Sequence, residues 1–392
     1  MIALLASFPA FAGTFSGVDT EITTGMGGTW ARVHAVEEGW WFFQDAGGDY
    51  WAEDLDESLG GYDDHDRIQL TAVGNLQDTQ VERCPDGGWL VIGSYTLASF
   101  DDSAAAWRFA ADFTPMWDTV IVENDSTYRH NDMVPVCAEG AEGVIFAGGG
   151  NDSPTGEFLS LEGGSVADPV DVTLNAQGAS FAVRPSDGAY VAVDVTRPGT
   201  TEARVSVFDA DFSTVSSASV SLPGGSIAWT QRLQPLGEGW LLSYLGADGM
   251  TPMGDVWLAA LDAEFNLVDS VQVSDSGKRD ERPWFARKGG TVVVSYDRDT
   301  QPRLAAVTLE ASAVPSGDDG ILDTADSPGD SGGDSSGNPP GDCGCSGGGG
   351  APAGASAAWT PVFALARDAR WRRRGREIRA ARIARPAPHP HA

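Results

Sequence analysis

The sequence predicts an all-β protein, a β-propeller of about six four-stranded blades, and three observations lead to this prediction. First, the 392 residues include 49 glycines and 13 tryptophans, a composition that favours short strands and tight turns over helices. Second, a turn glycine followed by an apolar strand recurs six times, at spacings of 49, 55, 45, 51 and 51 residues. Third, the last copy lacks a fourth strand, and a matching segment stands near the N-terminus.

Each predicted blade follows one pattern. The turn glycines are Gly39, Gly88, Gly143, Gly188, Gly239 and Gly290. Each precedes an apolar strand, such as WLLSYLG from Trp240, that is typical of a strand buried on both faces. A third strand then leads into an acidic-aromatic corner, as in Asp262-Ala263-Glu264-Phe265, and an alternating outer strand follows. The tryptophans that share one repeat position, Trp40, Trp89 and Trp240, are predicted to pack between blades.

The N-terminal segment Phe15–Thr24 is predicted to complete the blade that ends at Leu309. Its residues Thr14–Asp19 align with Glu264–Asp269, which lead into an outer strand. A strand supplied from the other end of the chain closes the ring without a free sheet edge. The alternative is a pair of β-sandwiches, since short alternating strands also describe those, but a sandwich does not predict the regular spacing.

Four segments are predicted along the chain. Residues 1–12 are assigned to a signal peptide, because an apolar run ends in Ala10-Phe11-Ala12, a pattern typical of a signal-peptidase site; a buried first strand is the alternative. Residues 13–312 form the propeller. Residues 313–350 are rich in Gly, Ser and Asp and are predicted to be a disordered linker. Residues 351–392 form a weakly apolar, Arg-rich tail.

The net charge of −31 is unevenly distributed. The tail carries nine arginines against Asp368 and Glu377, a local charge of +7, so the rest of the chain carries −38. An acidic body of this kind repels phosphate backbones, which excludes nucleic acid as a partner. It favours cations or basic partners, with solubility in an exposed environment as the alternative explanation.

The end of the chain resembles a known sorting signal. Cys343-Gly344-Cys345 is followed by the apolar segment APAGASAAWTPVFALA and by an arginine cluster that includes Arg372, Arg373 and Arg374. This order resembles the MYXO-CTERM signal of myxobacteria and related bacteria. The resemblance implies processing near Cys343 and Cys345, transient membrane contact through the tail, and the arginines as a positive-inside stop. It also implies a secreted or outer-membrane, cell-surface location in a Gram-negative bacterium.

Cys84 and Cys137 are predicted to form a disulfide. They precede the turn glycines of the second and third blades at nearly equivalent places, so they fall on neighbouring inner strands. In an exported protein a disulfide is the expected state of such a pair. Two unpaired thiols are the alternative, because geometry alone can prevent a bridge.

No catalytic residue and no metal ligand is assigned from the sequence. Gly329–Gly333 matches the nucleophile motif of trypsin-like proteases, but it falls in the Asp/Gly/Ser tract, where chance produces it. Asp63–Asp66 includes His65 and offers ligand types for a divalent ion, without a second group at a defined spacing. No cofactor is therefore predicted, and calcium has no motif to support it.

Four arginines precede turn glycines by a few residues, namely Arg83, Arg184, Arg232 and Arg287. They are predicted either to line one mouth of the channel, where an acidic ligand binds, or to pair with the abundant aspartates.

The sequence is compatible with two functions. The favoured one is a monomeric, surface-displayed propeller that binds an extracellular protein or glycan without catalysis. The other is a secreted glycan-active hydrolase or lyase with its site at the channel mouth. An enzyme needs carboxylates, or tyrosine and arginine, that converge from different blades, and no compact motif requires this.

Overall fold

The computed structural model describes residues 14–18, 22–23, 29–46, 49–59, 67–71, 76–96, 102–122, 133–138, 141–146, 156–166, 170–172, 174, 179–184, 187–195, 200–247, 254–275 and 280–310. All of them belong to the first of two compact units, Met1–Gly329; the second unit, Asp330–Ala392, lies outside the described residues. The described residues are almost entirely β-strand, with one 3-10 turn at Glu162–Gly164.

The described strands follow one another in short lengths. In chain order they are β1 (Phe15–Val18), β2 (Ile22–Thr23), β3 (Thr29–Val36), β4 (Gly39–Ala46), β5 (Asp49–Leu55), β6 (Ile68–Gln69), β7 (Leu76–Arg83), β8 (Trp89–Thr96), β9 (Asp102–Phe109), β10 (Val120–Val122), β11 (Met133–Ala138), β12 (Ala141–Phe146), β13 (Gly156–Ser160), β14 (Val170–Val172), β15 (Ser180–Val183), β16 (Tyr190–Asp194), β17 (Glu202–Phe208), β18 (Thr214–Ser221), β19 (Ser226–Leu236), β20 (Gly239–Ala247), β21 (Asp255–Leu261), β22 (Leu267–Gln272), β23 (Asp280–Lys288), β24 (Thr291–Arg298) and β25 (Gln301–Leu309).

These strands form six antiparallel sheets arranged in a ring, so the predicted six-bladed propeller is confirmed. Blade 1 is β3 to β6, blade 2 is β7 to β10, blade 3 is β11 to β14, blade 4 is β15 to β18 and blade 5 is β19 to β22. Blade 6 combines β23, β24 and β25 with β1, and β2 pairs with the same β25. The first strand of each blade, or β23 in blade 6, lies innermost, next to the central channel.

The N-terminal strand closes the ring, as the sequence predicts. β1 pairs with β25 through Phe15 with Leu309 and Val18 with Val307. The Glu310 N–H donates to the Thr14 carbonyl at 2.9 Å. The Phe15 N–H also donates to the Asp269 carboxylate of blade 5 at 2.8 Å, so this strand contacts two blades at once.

The core is divided into six apolar clusters, one at each interface between neighbouring blades, among the residues that the structure describes. Trp40, Trp89 and Trp240 are at most 2% exposed and belong to three of these clusters. Trp40, for example, packs with Val293 and Leu304 of blade 6. The prediction that these tryptophans pack between blades is therefore correct.

The acidic-aromatic corners place a phenylalanine in left-handed backbone conformation. Phe113, Phe212 and Phe265 have φ of 63°, 58° and 67°, and all three are buried. In the last of these corners the Asp262 carboxylate accepts backbone N–H groups at 3.0 and 2.7 Å, the second from Asn266. The aspartate stabilises a turn that a residue with a Cβ otherwise avoids, and the phenylalanine reaches the blade interface.

Several predicted features lie outside the described residues. They are the signal peptide (residues 1–12), Asp63–Asp66, Gly329–Gly333, the linker (313–350) and the tail (351–392) with Cys343, Cys345, Arg372, Arg373 and Arg374. Within the described part of the chain, no helix has the length and hydropathy needed to cross a bilayer.

Candidate ligand-binding site at the channel

The beginnings of the inner strands lie together at one mouth of the channel. At the beginning of β3, Arg32 Nη1 donates to the carbonyl of Arg282, near the beginning of β23, at 3.3 Å. Beyond the end of β3, the Glu37 carbonyl accepts from Lys288 Nζ, at the end of β23, at 2.6 Å. These two neighbouring inner strands therefore run in the same direction, and Arg32 and Arg282 belong to the mouth where they begin.

Both strands are irregular at this mouth. The β-ladder register shifts between Thr29 and Arg32 in β3 and between Glu281 and Trp284 in β23. A bulge of this kind re-aims side chains and is common beside binding sites. Within these bulges Trp30 and Arg282 have φ of 61° and 57°. A left-handed conformation costs a residue with a Cβ about 1–2 kcal/mol, so other contacts must hold it.

Asp297 of β24 supplies those contacts. Its carboxylate accepts the Trp30 N–H at 2.8 Å and pairs with Arg282 Nη1 at 3.3 Å. The Arg282 guanidinium in turn lies 4.2 Å from the centre of the Trp30 ring. Burial raises the pKa of Asp297, while Arg282, the Trp30 N–H and Arg32 oppose that effect.

Five side chains form what we call the arginine–tryptophan cluster: Trp30, Arg32, Arg232, Arg282 and Trp284. The guanidinium of Arg32 lies 5.3 Å from the Trp30 ring centre and 4.7 Å from that of Trp284. Arg232 lies 4.2 Å from the Trp284 ring centre. Stacking of this kind favours arginine, whose flat cation interacts with aromatic faces. The cluster thus gathers three cations from blades 1, 5 and 6 around two indoles.

The carboxylates around the cluster are engaged by arginines. Arg232 makes a two-point ion pair with Glu82, with nitrogen–oxygen distances of 2.6 and 3.0 Å. Arg282 pairs with Glu281 at 3.0 Å as well as with Asp297. These acidic groups therefore serve as counter-ions to the arginines.

His34 lies beside the cluster and is buried. Its ring meets Trp89 edge-on at 5.4 Å and Phe43 at 5.6 Å. Burial holds the pKa of His34 well below its usual range, and the nearby charges of Arg232 and Arg83 lower it further. The imidazole is therefore neutral at pH 7, and its ring packs against these aromatic side chains.

The four arginines singled out in the sequence have different roles. Arg232 joins the cluster, whereas Arg83 donates to the Ala35 carbonyl at 3.0 Å. Arg184 pairs with Asp187 at 2.7 Å, and Arg287 donates to the Gly289 carbonyl at 3.0 Å. Sequence reasoning missed Arg32 and Arg282. Arg32 stands seven residues before Gly39, as Arg232 stands seven before Gly239, so the repeat position could have found it, whereas Arg282 lies within the bulge of β23.

The predicted disulfide is present. Cys84 and Cys137 are bonded with their Cα atoms 4.9 Å apart, and they join the inner strands of blades 2 and 3. Glu142 lies close enough to share a metal ion with them. The two sulfurs are bonded to each other, so they offer no thiolate for a metal at this place.

Comparisons with known proteins agree with the fold and identify neither a family nor an activity. No protein-family model matches the sequence, and no curated protein matches it. Among solved structures, a protein of unknown function from Dyadobacter fermentans is 14% identical with a TM-score of 0.51, over 74% of this chain and 98% of its own.

Two further solved structures are similar at lower scores. The neuraminidase-like protein of a bat influenza A virus (subtype N10) is 13% identical, with a TM-score of 0.45 over 75% of this chain and 99% of its own. The soluble aldose sugar dehydrogenase of Escherichia coli is 10% identical, with a TM-score of 0.44 over 74% and 99%. At such identities and TM-scores, neither likeness bears on what this protein does.

Proposed function

We propose that this protein is an exported, cell-surface-displayed β-propeller that binds an extracellular protein or glycan without catalysis. Its ligand-binding surface is the channel mouth where the inner strands begin. Export rests on residues 1–12, and display rests on the tail with its processing residues Cys343 and Cys345 and the arginines Arg372, Arg373 and Arg374. The chain acts as a monomer and needs no cofactor.

One observation carries the proposal: the arginine–tryptophan cluster rests on Trp30 and Arg282, two touching residues that are both held in left-handed conformation. Backbone strain of this kind is retained where the surrounding structure enforces it, and it concentrates at sites that bind ligands. Arg282 keeps 22% of its side chain exposed, so this mouth presents a cation to solvent.

The state of the carboxylates favours binding over hydrolysis. A glycan hydrolase needs one carboxyl group as an acid and a second as a base or nucleophile, both facing the substrate. Here Glu82, Glu281 and Asp297 each contact an arginine. Ion-paired carboxylates position cations well, but proton transfer to a substrate requires that their pairing be broken first.

Two measurements on the full-length chain test the proposal. Surface labelling of intact cells should detect the propeller outside the cell. Purified protein should then bind a component of an array of extracellular-matrix proteins and glycans, and it should leave that component chemically unchanged, as judged by mass spectrometry.

A matched pair of arginine substitutions locates the binding surface. We expect Arg282→Gln to weaken binding by about tenfold or more, because it removes the exposed cation of the mouth. Arg184→Gln removes an arginine on blade 4 that pairs with Asp187, and it should bind as the wild type does. Equal losses in both variants would place the surface elsewhere, and cleavage of an array glycan would favour the hydrolase.

A further inference from the structure

The guanidinium of Arg32 has one edge without a partner. Its Nη1 donates to the carbonyls of Ala31 at 2.8 Å and Arg282 at 3.3 Å. Its Nε and Nη2 have no hydrogen-bond acceptor among the residues that the structure describes, although the residue is 0% exposed. Buried polar groups are almost always paired, so two unsatisfied donors on one cation call for an acceptor.

Among the described residues, two further donors near Arg32 are unpartnered, besides the Tyr50 hydroxyl and His34 Nε2, which are also buried without a hydrogen-bond partner. Within the described residues, Nε of Arg232 and Nε1 of Trp284 are buried without an acceptor. The Trp284 ring centre lies 4.7 Å from the Arg32 guanidinium and 4.2 Å from that of Arg232, so these donors are arranged around one indole. Four donors without an acceptor match the needs of an oxyanion, which only accepts hydrogen bonds.

One of the three cations in the cluster has no carboxylate in direct contact. Arg232 has Glu82 as its counter-ion, and Arg282 has Glu281 and Asp297. Arg32 forms no ion pair with a carboxylate in the described part of the chain, although the field of Asp297 acts on it. A wholly buried cation without a direct partner is costly, and a monoanion at its open edge would offset that cost.

We propose that the Nε–Nη2 edge of Arg32 is a binding site for a carboxylate group carried by the ligand, with Arg232 and Trp284 as further donors. This inference rests on the proposed function and names the group that anchors the ligand. Nε–H and the adjacent Nη2–H are parallel donors, which match the two oxygens of a planar carboxylate. Arg282 is the most exposed member of the cluster and marks the side of approach.

The indoles favour a flat anion over a bulky one. Both Trp30 and Trp284 have ring centres within 5.3 Å of the Arg32 guanidinium, so flat aromatic groups lie against this cation. A carboxylate is planar and singly charged. A sulfate is tetrahedral and doubly charged, so it matches neither the planar two-donor edge nor the single cation without a carboxylate contact.

Propionate is the probe that tests the site. The full-length protein is unfolded thermally in propionate, sulfate or chloride at equal ionic strength. We expect propionate to raise the unfolding midpoint in a saturable way, since a ligand that binds only the folded state stabilises it. Chloride should leave the midpoint unchanged, and sulfate should raise it only without saturation, as an ion excluded from the protein surface does. Equal effects of all three anions would overturn the proposal.

Arg32→Lys keeps the charge but removes the two-donor edge. It should lose the propionate effect by about tenfold in apparent affinity, while Arg184→Gln, on another blade, should retain it. If Arg32→Lys does not fold, the site is tested instead by NMR spectroscopy of the wild-type protein. Propionate should then shift the Nε–H resonance of one buried arginine, assigned by labelling, and no such shift would contradict the site.

A final pair of ligands separates this inference from the proposed function. Binding of a glucuronate-containing oligosaccharide is compared with binding of its neutral glucose counterpart. If the displayed chain binds the neutral oligosaccharide equally well at the mouth, the carboxylate site is wrong and the proposed function stands. If propionate binds at Arg32 but the chain is not found at the cell surface, the site stands and the proposed function fails.

Discussion

Arg232 of β19 and Glu82 of β7 form a two-point ion pair across the central channel, with distances of 2.6 and 3.0 Å. Their strands belong to blades 5 and 2, which stand opposite each other in the ring of six. The pair therefore joins two blades that do not pack against each other. It also holds Arg232 where the guanidinium stacks on Trp284.

The ion pair across the channel should stabilise the closed ring. Glu82→Gln leaves Arg232 without its counter-ion, and breaking a largely buried pair in this way should lower the free energy of unfolding by about 3 kcal/mol. Urea denaturation measures the loss. The double variant with Arg232→Gln should recover part of it, and a coupling energy near zero in the resulting cycle would show that the contact does not stabilise the ring.

His34 should make stability depend on pH between about 5.5 and 7. Burial, Arg232 and Arg83 hold its pKa well below 6.5, so the folded protein stays unprotonated there while the unfolded chain takes up a proton. The unfolded state binds more protons, so stability falls as pH falls below 6.5, by up to about 1.4 kcal/mol per pH unit.

Two histidine variants isolate this contribution. His34→Gln should lose that part of the pH slope, whereas His65→Gln, which replaces a histidine of the predicted acidic loop, should keep it. The measurement is the free energy of unfolding at several pH values. Equal slopes in the wild type and His34→Gln would contradict the assignment.

The disulfide should contribute a large share of stability. Cys84 and Cys137 are 53 residues apart, and closing a loop of that length in the unfolded chain corresponds to about 4 kcal/mol. Replacing both by serine should lower the denaturation midpoint, and a reductant should bring the wild type to the same value. As a control, replacing Cys343 and Cys345 by serine should leave the response to reductant unchanged.

The N-terminal strand should protect blade 6. Deleting Phe15–Thr24 exposes the edge of β25, so its amides should exchange faster in hydrogen-exchange mass spectrometry. Asp269→Ala removes the acceptor for the Phe15 N–H, and with it the acceptor for the Ser270 N–H, and should cost about 1 kcal/mol. Asp275→Ala, an exposed residue near the same strand, is the matched control. Unchanged exchange in β25 after the deletion would contradict closure by this strand.

The repeat could be predicted because its signals arise from contacts within one blade or between neighbouring blades. A Cβ at Gly39, Gly88 or Gly143 would collide with a carbonyl oxygen of the third strand, at Leu55, Phe109 and Leu159 respectively. The same steric limit acts in these three blades, whereas a Cβ at Gly188 would meet nothing within 4 Å and the positive φ of 70° accounts for that glycine. The acidic-aromatic corners recur for a comparable local reason, and the buried tryptophans recur because they pack at interfaces between neighbouring blades.

The candidate site could not be predicted in the same way. Of the four arginines chosen by their repeat position, one, Arg232, belongs to the cluster. Arg32 shares the repeat position of Arg232, seven residues before the turn glycine, but Arg282 lies in a bulge, and a bulge adds a residue that a periodic pattern does not reveal. The contact between Arg32 and Arg282 spans 250 residues and depends on blade 6 closing against blade 1.

The sequence by itself determined the strand repeat, the closing strand and the disulfide, because each follows from short-range sterics or from equivalent positions in successive blades. Only the tertiary structure decided which charges meet at the channel. Side chains from blades 1, 5 and 6 converge there when the ring closes, and Asp297 holds the bulges of blades 1 and 6 that position Trp30 and Arg282. The unpartnered Nε–Nη2 edge of Arg32 lies in this place only because the ring closes, since the neighbours of Arg32 come from distant parts of the chain.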